Sequence, residues 1–156
     1  MLDSVAAGNA DLGQFALFNS QAAFYEESLA AIGARLFHTR EAYALPIRHA
    51  LIAHPSAELA DMDTVYTHRE VLRQCKANLA RLLPELTLEA SSGDLLDPAA
   101  IGKALARGRL PRNVATISNA RIAVINGLRI LAEDLQDDPR NRSWFVLVER
   151  FVPDKR

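Results

Sequence analysis

The groups best suited to chemistry lie near the C-terminus, in the run Asp137-Asp138-Pro139-Arg140-Asn141-Arg142-Ser143-Trp144. Ser143 offers a hydroxyl that can give or take a proton, and Asn141 an amide that can orient a neighbour. Asp-Asp-Pro is turn chemistry, because proline fixes φ and aspartate side chains cap local amides. The aromatic and β-branched run Phe145 to Val148 that follows reads as a buried strand. Asn141 and Ser143 therefore stand at the mouth of a strand, where α/β sheets commonly hold ligands. His49 and His54 also invite a chemical reading, as metal ligands. Two histidines on a strand and loop, with no cysteine or glutamate in pattern, make a poor zinc site, so no metal is expected.

The elements that must position these groups alternate between strand and helix. Gln14 to Phe18 is a short apolar strand, and Asn19-Ser20 then reads as the N-cap of a helix whose apolar positions are Ala22, Ala23, Tyr25, Leu29 and Ile32, closed by Gly33 as its C′ residue. Arg35 to His38 and Leu45 to Ile52 read as strands, the second with period-2 alternation. Thr64 to Thr67 is another strand. Thr67 with Glu70 forms a capping box for a helix with the stripe Val71, Leu72, Cys75, Leu79, Leu82 and Leu83. Leu86 to Ala90 is a strand ending at Ser91-Ser92-Gly93, which reads equally as a plain cap and loop. A helix from Pro98 to Arg107, a strand from Asn113 to Ser118, a helix from Asn119 to Asn126 stopped by Gly127, and strands at Leu128 to Leu131 and Trp144 to Val148 complete the chain. The methionines and aromatic residues other than Trp144 read as core.

Composition narrows the function class. The chain has 156 residues, 49% hydrophobic and 24% charged, with a net charge of −1. That is one domain's worth of sequence with an ordinary soluble balance, and nothing in it favours nucleic acid or an anionic membrane surface. The lone cysteine, Cys75, excludes an intrachain disulfide and suits a reducing cytoplasm. No signal peptide and no membrane span are expected.

The segment NGLRILAEDLQDDPRNRSWFVLV, from Asn126 to Val148, resembles the end of a prephenate dehydratase domain. In that family an apolar strand leads through I-x-D-x-x-x-N-x-Thr-Arg-Phe into the last strand. Asn141 matches the Asn, Ser143 the catalytic Thr and Phe145 the Phe, while Trp144 stands in the place of the Arg. Three further segments are similar in order. Gly13 to Ser20 fits G-V-V-P-I-Glu-Asn-Ser, with Phe18 in the place of the Glu. Leu45 to Leu51 fits the crossing strand L-P-I-x-H-x-L, and Val65 to Cys75 fits V-Y-Ser-His-Pro-Gln-A-L-x-Gln-Cys.

The resemblance implies an α/β fold of two lobes, similar to a periplasmic binding protein. One lobe would hold about residues 1–48 and 132–156 and the other about residues 49–131, in a single domain. It implies a lyase acting on prephenate or a related chorismate-derived cyclohexadienyl acid in aromatic amino acid or secondary metabolism, with no cofactor. Ser143 would be the catalytic hydroxyl. Asn19, Ser20, Thr67, Gln74, Ser91, Ser92, Asn141 and Trp144 would bind a small carboxylic acid.

Three departures shape the expectation. The family's opening strand and helix of the first lobe, with its G-P-x-G-T-x-T turn, have no counterpart, leaving edges for a partner chain to cover in a homodimer. Phe18 and Trp144 replace a Glu and an Arg, and a tryptophan cannot pair bidentately with a carboxylate. No regulatory segment is expected after Val148. Prephenate decarboxylases of antibiotic pathways also depart at the Thr-Arg motif, so dehydration and decarboxylation both stay open. The competing readings are a non-catalytic dehydratase-like module that binds a small acid or a protein, and an unrelated α/β domain whose motifs are caps and turns.

Overall fold

A computed structural model describes residues 2–152; Met1 and residues 153–156, part of the expected first lobe, lie outside the described residues. The elements in chain order are α1 (Leu2–Ala6), β1 (Leu12–Asn19), β2 (Ala23–Phe24), α2 (Glu26–Gly33), β3 (Phe37–Pro46), β4 (Ala50–Ala53), β5 (Thr64–Thr67), α3 (Arg69–Gln74), α4 (Lys76–Leu82), β6 (Thr87–Ala90), α5 (Pro98–Ala106), β7 (Val114–Ser118), α6 (Ala120–Asn126), β8 (Arg129–Ala132) and β9 (Arg142–Arg150). Short 3₁₀ turns at Leu59–Asp61 and Gly93–Leu95 complete the list. The chain divides into two compact units, one made of its two ends up to Pro46 and from Arg140, the other of Ile47–Pro139.

In the unit of the chain ends, four strands form an antiparallel sheet in the order β2-β1-β9-β3. The C-terminal strand β9 is central, so its N–H and C=O groups are paired on both sides. It is longer than its apolar run, beginning at Arg142, which puts Ser143 inside the sheet. Phe145 to Leu147 are half-buried, not fully buried as a two-sided apolar strand would be; Val148 is buried. A bulge between Ala16 and Phe18 resets the register of β1, so that Phe18 opposes Trp144 and Asn19 opposes Ser143.

Several local expectations for this unit are corrected. Asn19-Ser20 does not cap a helix. The Asn19 Oδ1 accepts from Gln21 and Ala22 N–H groups, the chain then pairs back as β2, and α2 starts only after Tyr25. Gly33 closes α2 from inside, with Ala34 as the cap in right-handed geometry. Phe24 and Phe151 are exposed, not core. The expected strand at Leu45 to Ile52 is split, because β3 ends at Pro46 in one sheet and β4 begins at Ala50 in another.

In the central unit, five strands run in the order β6-β5-β7-β4-β8, with β5, β6 and β7 parallel and β4 antiparallel to β7 and β8. Every residue of β4, Ala-Leu-Ile-Ala, is buried, because both faces of the sheet are covered. Leu51 and Ala53 join Val65, Cys75, Leu79, Ala115, Ile117 and Leu135 on one face. Ala50 and Ile52 pack with Ala123 on the other. Burying core side chains of this kind is the main stabilising term, at roughly 1.5–3 kcal/mol for each large one. A Cβ at Gly102 of α5 would fall 2.5 Å from Ile122 Cγ2, so glycine permits the close approach of α5 to α6. Gly127 takes φ +63° as the left-handed cap of α6, as its position predicts.

The long helix expected after Thr67 is two short ones. His68 is the cap of α3, its ring nitrogen accepting from the Glu70 N–H, while Thr67 stays in the strand. The second break is at Cys75. Asp137, sixty residues on, accepts from Ala77 and Asn78 N–H groups at 2.9 and 2.8 Å and starts α4 there. Asp137 thus caps a distant helix and not its own turn. The segment before it belongs with this unit, since β8 pairs with β4, Leu135 is in the core and its N–H bonds His49 O at 2.9 Å.

Candidate functional site

The cluster in the unit of the chain ends is built by strand register. Asn19 ends β1 and Ser143 lies directly opposite on β9, so both point to the same side of the sheet. The Asn19 Nδ2 donates to Ser143 Oγ at 2.8 Å, to Asn141 Oδ1 at 2.9 Å and to Arg142 O at 3.1 Å. Its Oδ1 accepts from the turn amides of Gln21 and Ala22. Asn19 and Asn141 are 1% exposed and Ser143 3%, so the network is shielded from water and the orientation of each amide is fixed by its partners. The exposed Ser20 joins the rim, its hydroxyl donating to Asn141 Oδ1 at 3.4 Å and accepting from Arg142 N at 3.1 Å. Because Ser143 Oγ accepts from Asn19, the hydroxyl keeps its own proton to give to a group placed against it.

Trp144 does not share this cluster. One residue along the strand, it takes the opposite face and its ring lies 5.2 Å from that of Phe18.

In the central unit the remaining candidates gather at the carboxyl edge of the parallel strands. Thr67 ends β5, Ser91 follows β6, and Ser118 ends β7. Thr67 is fully buried, its Oγ1 donating to Ile117 O at 2.7 Å, and its carbonyl accepts from the Ser91 N–H at 2.8 Å. The Ser91 Oγ is buried with no partner. Ser92 is exposed, its N–H donating to Tyr66 Oη at 3.2 Å. Gln74 reaches His49, with Oε1 2.9 Å from Nε2.

In the sequence His49 is a weak metal candidate and the histidine of the L-P-I-x-H-x-L match. Its real surroundings are two glutamines, Gln74 on its ring and Gln136, whose Oε1 accepts from the His49 N–H at 2.8 Å. No local pattern signals this, because Gln136 is 87 residues away. With Nε2–H directed at Gln74, Nδ1 is a buried atom with no partner. Burial lowers the pKa of His49, opposed by the bond to Gln74, so the ring is held neutral. His54 turns to Ser56 Oγ instead. At the same edge a cavity of about 230 Å³ is lined by Arg48, His49, Ala50, Asn119, Ala120, Glu133 and Asp134. Asp134, held below the usual carboxylate range by Gln136 and then Arg48, salts Arg48 at 2.6 Å. Cys75 is no nucleophile: burial, reinforced by the Asp137 charge, pushes its thiol up to about 12.

This arrangement has known counterparts. The prephenate dehydratase family model matches residues 1–151. Arogenate dehydratase 1 of Petunia hybrida is 34% identical over 106 residues, which is 68% of this chain and 24% of that protein. The structure of a prephenate dehydratase from Arthrobacter aurescens in complex with L-Phe is 30% identical and superposes with a TM-score of 0.81, over 99% of this chain and 50% of that one. A periplasmic substrate-binding protein of an ABC transporter from Coxiella burnetii shares the fold alone, at 15% identity and a TM-score of 0.52 over 96% of this chain and 67% of that one. The chain spans about a quarter of the length of the curated relatives it matches and about half of the dehydratase structure. With Asn141 leading into strand β9, which carries Arg142-Ser143-Trp144-Phe145 and sets Ser143 opposite the Asn19 of β1, the chain belongs to the prephenate dehydratase family.

Proposed function

We propose that this chain is a dehydratase-type lyase acting on a cyclohexadienyl acid of the prephenate or arogenate class, with Ser143 as the hydroxyl at the leaving group. In the dehydration the ring carboxylate leaves as carbon dioxide and its electron pair enters the ring. The C4–O bond breaks, and the departing oxygen takes a proton to leave as water. The barrier falls if a donor is already aimed at that oxygen and amides are fixed around it. The observation that supports this reading is the buried 2.8 Å bond from Asn19 to Ser143, which fixes the hydroxyl while leaving its proton free to donate. Thr67, Gln74, Ser91 and Ser92 are proposed as binding groups for the acid, with the unpartnered Ser91 Oγ as spare capacity for it. The same reading carries a homodimer and a cytoplasmic location, which sedimentation velocity and cell fractionation test.

Incubation of the protein with prephenate, and separately with arogenate, followed by NMR of the products, is the test. Phenylpyruvate or phenylalanine formed by the protein and lost in Ser143→Ala supports the dehydratase. A non-aromatic dihydro-hydroxyphenylpyruvate identifies a decarboxylase, the outcome that the Trp144 departure favours. Turnover no faster than the spontaneous reaction overturns the enzyme reading and leaves a binding module.

A further inference from the structure

The two departures from the family motif, Phe18 and Trp144, are cross-strand partners. Phe18 sits between two rings, 5.0 Å from Phe24 of β2 and 5.2 Å from Trp144 of β9, tilted 59° to each. Offset, tilted contacts at these distances are the favourable geometry for aromatic pairs. The three rings form a ladder across β2, β1 and β9. The next rung holds Ala23, Asn19 and Ser143.

The ladder has a mechanical consequence because of the bulge at Leu17. That bulge lies between Ala16 and Phe18, immediately before the rung, and shifts the pairing of β1 by one residue. Healing it would slip the end of β1 by one residue along β9. A one-residue slip moves a side chain to the other face of the sheet and parts Asn19 from Ser143. The rings of Phe18 and Trp144 oppose that slip, since they meet only in the bulged register. A carboxylate at 18 and a guanidinium at 144, the pair that the resemblance sets at these positions, would meet in the same register. Opposite charges directly across an antiparallel pair are also stabilising.

We infer that Phe18 and Trp144 are positioning residues: an aromatic clamp that holds the Asn19–Ser143 rung in register and stands in, as a matched exchange, for an ion pair at the same two positions. This rests on the reading of that rung as the chemical site. It removes the objection that loss of the Glu and the Arg disables the site.

The test is NMR of the ¹⁵N-labelled chain, following solvent exchange of the Asn19 side-chain amide protons, assigned through Asn19→Asp. Phe18→Ala and Trp144→Ala are each expected to speed that exchange about tenfold, the scale of one aromatic pair. Phe18→Glu and Trp144→Arg should do the same singly. The double variant F18E/W144R should return to within about threefold of the parent and, unlike the parent, lose protection at high salt. Unchanged exchange in the single variants, or a double variant no better than the worse single, overturns the clamp. Backbone amides of Ile52 and Ile117 report whether the central unit stays folded. If any variant loses them, the conservative pair F18Y/W144F decides, with parental protection supporting the clamp and lost protection overturning it. Absence of prephenate turnover in the parent would sink the enzyme reading and leave the Asn19 exchange result standing by itself.

Discussion

The two units carry polar groups in opposite conditions. In the unit of the chain ends, the buried groups are saturated with one another. Asn19 alone makes five hydrogen bonds, to Asn141, Arg142, Ser143, Gln21 and Ala22. At the carboxyl edge of the central sheet, buried atoms are left over: His49 Nδ1 and Ser91 Oγ have no partner. A saturated network fixes geometry, whereas an unpartnered buried atom carries a desolvation cost that an incoming polar group can relieve. The first condition suits a group that must be aimed, the second suits groups that must take up a ligand. The apolar parts differ in parallel. Strand β4 is buried on both faces, while β9 keeps only Val148 fully buried among its apolar residues.

That contrast sets a graded series of outcomes. Leu51→Ala, in the fully buried β4, should cost about 2–5 kcal/mol in chemical denaturation. Leu147→Ala, in the half-buried β9, should cost clearly less, and equal costs would break the comparison of the two sheets. Asn19→Ala should cost about 1–3 kcal/mol, because Asn141, Ser143 and two turn amides lose a buried partner together. Ser91→Ala, by contrast, removes a hydroxyl that bonds nothing and should leave the unfolding midpoint within about 0.5 kcal/mol of the parent. If Ser91→Ala destabilises as much as Asn19→Ala, the distinction between saturated and spare groups is wrong.

The pH dependence sharpens the same contrast. His49 has its folded pKa below the unfolded value of about 6.5. Between those two values the unfolded chain binds more protons than the folded one, so stability is present above pH 6.5 and is lost as the pH falls toward the folded pKa. The loss is at most about 1.4 kcal/mol per pH unit for one proton. Denaturation midpoints measured from pH 7.5 to 5 should fall in the parent and flatten in His49→Asn. A parallel fall in both would assign the effect to other groups. Asp134, with its carboxyl lowered, acts in a separate window at more acidic pH.

What the sequence made legible, and what it hid, follows from how far the deciding partner lies along the chain. The strand over Val114–Ser118 and the helix between Asn119 and Gly127 are set by local apolar runs and by caps that act on neighbouring residues, and the structure has them where the pattern puts them. Asn19 looked like a helix cap because Asn before an apolar stripe usually is one. Its pairing with Ser143, 124 residues away, decides instead and uses up the side chain. The break at Cys75 is equally invisible locally, since the carboxylate that starts α4 is Asp137. The motif match on Asn141 and Ser143 drew attention to the start of β9, but that Phe18 opposes Trp144 depends on a bulge no periodicity reveals. His49 is the histidine of the crossing-strand match, but the two glutamines around it come from distant parts of the chain and leave no local pattern.

The central claim is that Ser143 is an aimed proton donor, and comparison of Ser143→Ala with Ser143→Thr tests it most directly. Initial rates of prephenate and arogenate turnover would be read alongside unfolding midpoints. The account predicts that Ala loses about 10²–10⁴-fold in rate for a stability change of about 1 kcal/mol, while Thr, which keeps the hydroxyl, stays within about tenfold of the parent. Turnover by Ser143→Ala at the parental rate would contradict it.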